Sequence, residues 1–113
     1  MILTKKEMID AERAQHKKRI KLMEHVRKLR ENKDFIEVFE KEIFLNMCAQ
    51  KAKVSGSVTL SEDERADALS KAQAAGHIEE TLYAIEQLGM MAQQSLEALD
   101  DEEAAILAES QVN

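Results

Sequence analysis

Apolar positions recur at helical spacing through most of this chain, but not from the start. Thr4-Lys5-Lys6-Glu7 is a capping box, in which Thr4 and Glu7 can each satisfy an orphan backbone N–H, with Leu3 and Met8 at the staple positions around it. The pattern predicts a first helix from Lys5 to about Arg30. Its early part, Glu12 to Arg19, has no apolar stripe. From Ile20 a stripe forms with Met23 and Val26 and is widened by Leu22 and Leu29, so only the second half is expected to dock on a core.

Asn32 is suited to cap a second helix. Phe35, Ile36, Val38, Phe39, Ile43, Phe44, Met47 and Cys48 then crowd together, including all three Phe of the chain, and this helix is expected to be the most buried element. It should fade near Val54. Ser55-Gly56-Ser57-Val58-Thr59 reads as the one clear loop, and Ser61-Glu62-Asp63-Glu64 is a second capping box.

A third helix is expected from Glu62 to Leu99, about 38 residues or roughly 57 Å of rod. Its later part carries a heptad seam, Ala75, Ile78, Leu82, Ile85, Gly89, Ala92, Leu96 and Leu99, as in a coiled coil. Gly89 and Ala92 are small enough to let another helix backbone approach closely, within the chain or between copies. Asp100-Asp101-Glu102-Glu103 would oppose the dipole at a helix C-terminus but suit a helix start. A break near Leu99 follows, with Ala104-Ala105-Ile106-Leu107-Ala108 as the apolar face of a short terminal helix or, alternatively, a frayed acidic tail. The fold class is therefore all-α: an elongated hairpin or bundle of three main helices with a short C-terminal helix.

Length supports one domain, residues 1–113, divided into a basic helical arm (1–31), a helical body (32–99) and an acidic segment (100–113). Charged residues are 34% of the chain, with no Pro or Trp and three Gly, a composition that favours long helices over turns. Much of the apolar content is Met and Ala, so partner chains are expected to complete the core. The N-terminus lacks the apolar run of about 7–15 residues of a signal peptide, and no window approaches the roughly 18 apolar residues of a membrane span. The cytoplasm is the expected location, with no membrane partner.

Charge changes this picture most. Residues 1–33 hold eleven Lys and Arg against five acids, a net +6, while the remainder sums to −12 within the total of −6. A basic arm on an acidic body points to an oriented binder. Lys5, Lys6, Arg13, Lys17, Lys18, Arg19, Lys21 and Lys28 are the candidate contacts to nucleic acid or to an acidic partner, with His16 among them. A helix of this kind can lie along DNA phosphates without reading bases. The competing reading is a solvated helix pairing with the acidic body of its own or a neighbouring copy. No helix-turn-helix spacing, RNA-binding aromatic motif or zinc pattern accompanies the charge, which disfavours sequence-specific recognition.

Other chemistry is sparse. His16, His25 and His77 are scattered, and Cys48 is the only Cys, so no metal-ligand constellation of usual spacing exists. Cys48 reads as a buried structural thiol. The acid groups lack the loop pattern of a calcium site. Gly-rich phosphate loops, a nucleophile elbow and a paired nucleophile and base are all missing, so the chain is expected to be non-enzymatic, without a cofactor. Met90-Met91 and Met47 could form an adaptable surface, though core filling is the plainer reading.

Two stretches, Leu29-Arg30-Glu31-Asn32-Lys33-Asp34-Phe35 and then Ala75-Gly76-His77-Ile78 with Leu82-Tyr83 and Ile85-Glu86-Gln87-Leu88-Gly89, resemble small helical proteins of tailed bacteriophages encoded among genes for head assembly and DNA packaging. In those proteins an N-P-D-F-like turn opens the second helix, and a glycine, an aromatic and a second glycine mark the third. Here Lys33 stands in place of the proline, and the loop around Gly56 is short on the family's usual features. The resemblance spans roughly residues 26–109 and carries over no functional residue. It implies a virion-assembly or DNA-packaging accessory, such as a head or connector component or a protein like the small terminase subunit. The expected partners are then copies of itself (the seam Ile78, Leu82, Ile85, Gly89, Ala92, Leu96), double-stranded DNA without sequence preference, and phage portal, terminase or head proteins. The alternative is a host-directed phage protein that binds and inhibits a bacterial regulator or defence component.

Overall fold

The computed structural model describes residues 4–111, and among them the chain is all-α, with no strand. Helix α1 is Lys5–Glu31. Thr4 starts it as the capping box requires, its Oγ1 accepting from the Glu7 N–H at 3.1 Å. Met8 is exposed, and its staple partner, Leu3, lies outside the described residues. Asn32 caps the next helix, with Oδ1 accepting from the Asp34 and Phe35 N–H groups at 2.9 and 3.1 Å.

That second helix, α2, is continuous over residues 33–55 but not uniform. One α-turn, Lys33–Phe35, leads into a π-helical stretch, Ile36–Met47, which gives way to an α-helical end, Cys48–Ser55. Where the π stretch ends, the Cys48 N–H still donates to the Ile43 carbonyl, five residues back.

The expectation that α2 is the most buried element does not hold. Phe44 is its one buried side chain, while Val38, Phe39 and Leu45 are exposed and Cys48 is only half-buried. Helix α3, Glu62–Gln111, follows the loop after Ser55 and opens on the second capping box, with the Glu64 N–H donating to Ser61 Oγ at 3.2 Å. It is 50 residues long. The break expected near Leu99 is absent, and no separate C-terminal helix forms. Asp100 to Glu103 lie inside α3, about two turns before its end, where the terminal dipole has faded, and the alanine-rich stretch after them continues the helix readily.

The chain divides into two compact units that cut across the expected arm, body and tail. Residues 4–25 and 85–111 form one, and Val26–Ala84 the other. In the first unit, α1 runs antiparallel to the end of α3: Arg13 meets Asp100 and Glu103, and Met23 meets Gly89. Its core is Ile9, Met23, Ala92 and Leu99, with Met23 fully buried. A Cβ at Gly89 would overlap Met23 Cβ and come within 2.8 Å of its Sδ, so glycine is what allows this backbone approach.

The second unit packs α2 antiparallel to the start of α3. Arg65 Nε donates to the Ser55 carbonyl at 3.1 Å, and Cys48 Sγ donates to the Ala72 carbonyl at 3.4 Å. Val26, Phe44, Ala68, Ala72 and Ala75 are buried there. The inward seam of α3 thus starts earlier than expected, at Ala68. Ile78, assigned to that seam from the heptad count, is instead 49% exposed, because the helix turns it away where Ala68, Ala72 and Ala75 face inward.

Candidate functional site

The basic face of α1 is built by what the opposite face must do. Ile9, Arg13, His16, Ile20 and Met23, at alternating spacings of four and three, are the inward or half-buried positions of the first unit. This is a heptad seam, invisible in a search for apolar residues because two of its positions are Arg13 and His16. Arg13 keeps its stem among the packed side chains and carries its charged end to the rim of α3. There its Nη2 donates to Asp100 Oδ1 at 2.8 Å and to Glu103 Oε2 at 2.5 Å, with Asp10 of its own helix 3.7 Å away. These bonds, Glu103 first and Asp100 second, hold the guanidinium pKa above its usual value.

Arg13, one of the candidate contacts to nucleic acid or to an acidic partner, is engaged with carboxylates of its own chain. The acidic-body reading of the arm describes this position, and it is satisfied within the chain. His16 also faces inward, lining a cavity of about 310 Å³ with Glu12, Ser95, Ala98, Leu99 and Glu102. Its Nδ1 is buried without a hydrogen-bond partner.

Lys17, Lys18 and Lys21 lie on the other side of the helix. All three are exposed, and no ion pair among the described residues involves them. Lys17 and Lys21 are one turn apart, with Lys18 beside them, so three ammonium groups share a patch about one turn, or 6 Å, long. Ala14 and His25 continue the exposed strip, and Glu24 interrupts it. Arg19 is half-buried on the opposite flank of the helix from Lys17 and Lys21. Lys5 and Lys6, exposed at the helix start, line a cavity of about 180 Å³ with Ile9, Glu103, Ile106 and Leu107. Lys28 belongs to the second unit and is exposed there.

The proposed oligomer seam is likewise divided. Gly89 and Ala92 are buried, and Leu82, Ile85 and Leu96 are half-buried. Gly89 is covered by Met23 of the same chain, so the close helix approach at that position is made within the chain.

Among the described residues, no group of three His, Cys, Asp or Glu side chains is placed to hold a metal ion, and no helix is long and apolar enough to cross a membrane. Comparison with protein-family models, with curated proteins and with solved structures gives no match to this chain.

Proposed function

We propose that the chain is a non-enzymatic accessory of phage virion assembly or DNA packaging, which self-associates and contacts duplex DNA through the outer face of α1. One observation carries the reading. Lys17, Lys18 and Lys21 stand exposed, with no ion pair among the described residues, on a helix whose inward base, Arg13, already has its carboxylates. Three such ammonium groups on one face can each displace a counterion from a phosphate. The net charge of −12 after residue 33 repels DNA from the rest of the chain and so orients it toward this face. The phage assignment rests on the motifs around Asn32 and Gly89 in the sequence.

The test is the salt dependence of binding to a labelled DNA duplex. The triple variant Lys17→Glu/Lys18→Glu/Lys21→Glu is expected to bind far more weakly, with a log–log salt slope shallower by about 2 to 3, since each phosphate no longer neutralised removes close to 0.9 from the slope. Helicity should be unchanged, because all three side chains face solvent. A parent that binds no duplex at low salt but captures portal, terminase or head proteins would move the contact from DNA to an acidic virion surface. Capture of a stoichiometric host regulator would favour the inhibitor reading.

A further inference from the structure

One titratable group stands on the outer face of α1 that the lysine contact leaves unused. His25 follows Lys21 by one turn and Lys18 by two, so the three lie on one side of the helix. Its side chain is exposed, and it makes no hydrogen bond or ion pair among the described residues. Met23, the residue of α1 that meets Gly89 of α3, lies two positions back and about 200° around the helix. His25 therefore points away from α3 and its carboxylates. The charged groups near it are those of α1 itself: Lys21 and Lys18 on its own side, Glu24 next to it in the chain, and Lys28 three residues on, in the second unit. The other two histidines are placed differently. His16 lies in the inward seam, and His77 is exposed on α3 in the second unit.

The charge on this face is small enough for one proton to matter. From Ala14 to His25 it carries three ammonium groups, Lys17, Lys18 and Lys21, against one carboxylate, Glu24, a net +2 while the imidazole is neutral. Protonation makes it +3. Histidine is the side chain whose ordinary titration falls between about pH 5 and 8, and an anion beside an imidazole favours its charged form. Lys21 and His25 are about 6 Å apart along the helix axis, inside the Debye length of about 10 Å at 0.1 M salt. The same stretch of phosphates feels both.

We infer that His25 is a proton-gated phosphate contact, which adds a fourth cation to the lysine face in mildly acidic solution and makes duplex binding depend on pH. The inference rests on the reading that this face meets DNA, and it names how that contact is regulated. Lys17, Lys18 and Lys21 hold phosphate on either side of neutrality, whereas His25 joins them as the pH falls through the histidine range and leaves as it rises.

The test is binding of the full chain to a labelled duplex across a range of salt, at about pH 5.5 and about pH 8, on either side of the histidine range and above that of ordinary carboxylates. The variants are His25→Gln, His25→Lys and, as an exposed histidine on another helix, His77→Gln. The parent is expected to bind about two- to fivefold more tightly at the lower pH, the size of one exposed charge contact, with a log–log salt slope steeper by up to about 0.9. His25→Gln should match the parent at the higher pH and lose most of that gain. His25→Lys should bind tightly at both, and His77→Gln should follow the parent. Circular dichroism at both pH values should show the same helicity in all four proteins, since both positions are exposed. A parent with equal affinity at the two pH values, or a pH dependence that survives His25→Gln, overturns the role of His25 while the lysine contact stands. A parent that binds no duplex at either pH, or binds no better than the triple lysine variant, overturns the lysine contact and this inference with it.

Discussion

Two glycines in the same helix carry opposite consequences. Gly89→Ala would gain about 1 kcal/mol of helix propensity but place a Cβ against Met23 Cβ. That atom is fixed to the α1 backbone and cannot swing aside, so overpacking of about 1–3 kcal/mol is expected to win. Chemical denaturation should show Gly89→Ala less stable than the parent by up to about 2 kcal/mol. At Gly76 a Cβ would meet nothing within 4 Å. Gly76→Ala should therefore raise stability by about 0.5–1 kcal/mol in the same assay, by restricting the unfolded chain and favouring the helix.

Arg13 supplies a second contrast at this scale. Arg13→Gln removes the bonds to Asp100 and Glu103 and should lower the melting temperature, yet leave DNA affinity nearly unchanged, since this guanidinium is engaged within the chain. The triple lysine variant should do the reverse. Composition alone placed Arg13 beside Lys17 as one more base. What separates them is the side of the helix each occupies, and that depends on where α3 lies.

At the scale of elements, the caps were the most legible features. Thr4, Asn32 and Ser61 each accept the backbone N–H groups that their positions promised, because a cap is made by residues within three or four of one another. Asn32→Ala should cost about 1 kcal/mol in denaturation, with both N–H groups at the start of α2 losing their acceptor. The winding of α2 was not legible: crowding of apolar residues was the feature that stood out, and crowding does not distinguish helix types. The π-bonded amides of 36–47 are expected to exchange hydrogen faster than those in the middle of α3, as i→i+5 winding is the rarer and less favourable arrangement. Uniform protection across both would argue against the wide winding. The continuity of α3 past Leu99 could not be read locally. Four acids in a row start helices as readily as they sit inside them, and here Arg13 from α1 meets the first and last.

For the whole molecule, two kinds of association respond to salt in opposite ways. Contact between the α1 lysines and phosphate is electrostatic and should weaken steeply as salt rises. Self-association through apolar surfaces should persist or tighten. The expected outcome is a native mass retained at high salt under conditions where DNA is released; loss of both together would tie self-association to charge rather than to apolar contact.

Determined by the sequence alone were the all-α class, the starts of α1, α2 and α3, the loop after Ser55 and the division of charge about residue 33. Each rests on neighbours in the chain or on composition, so no folded context is needed to read it. The tertiary structure decided the inward face of α1, the pairing of Arg13 with α3, the length of α3 and the grouping of residues 4–25 with 85–111 in one unit. It also decided which apolar residues of α2 stay outside. These depend on surfaces far apart in sequence. A helix reveals which residues share a face, but only the element packed against it determines which face is buried.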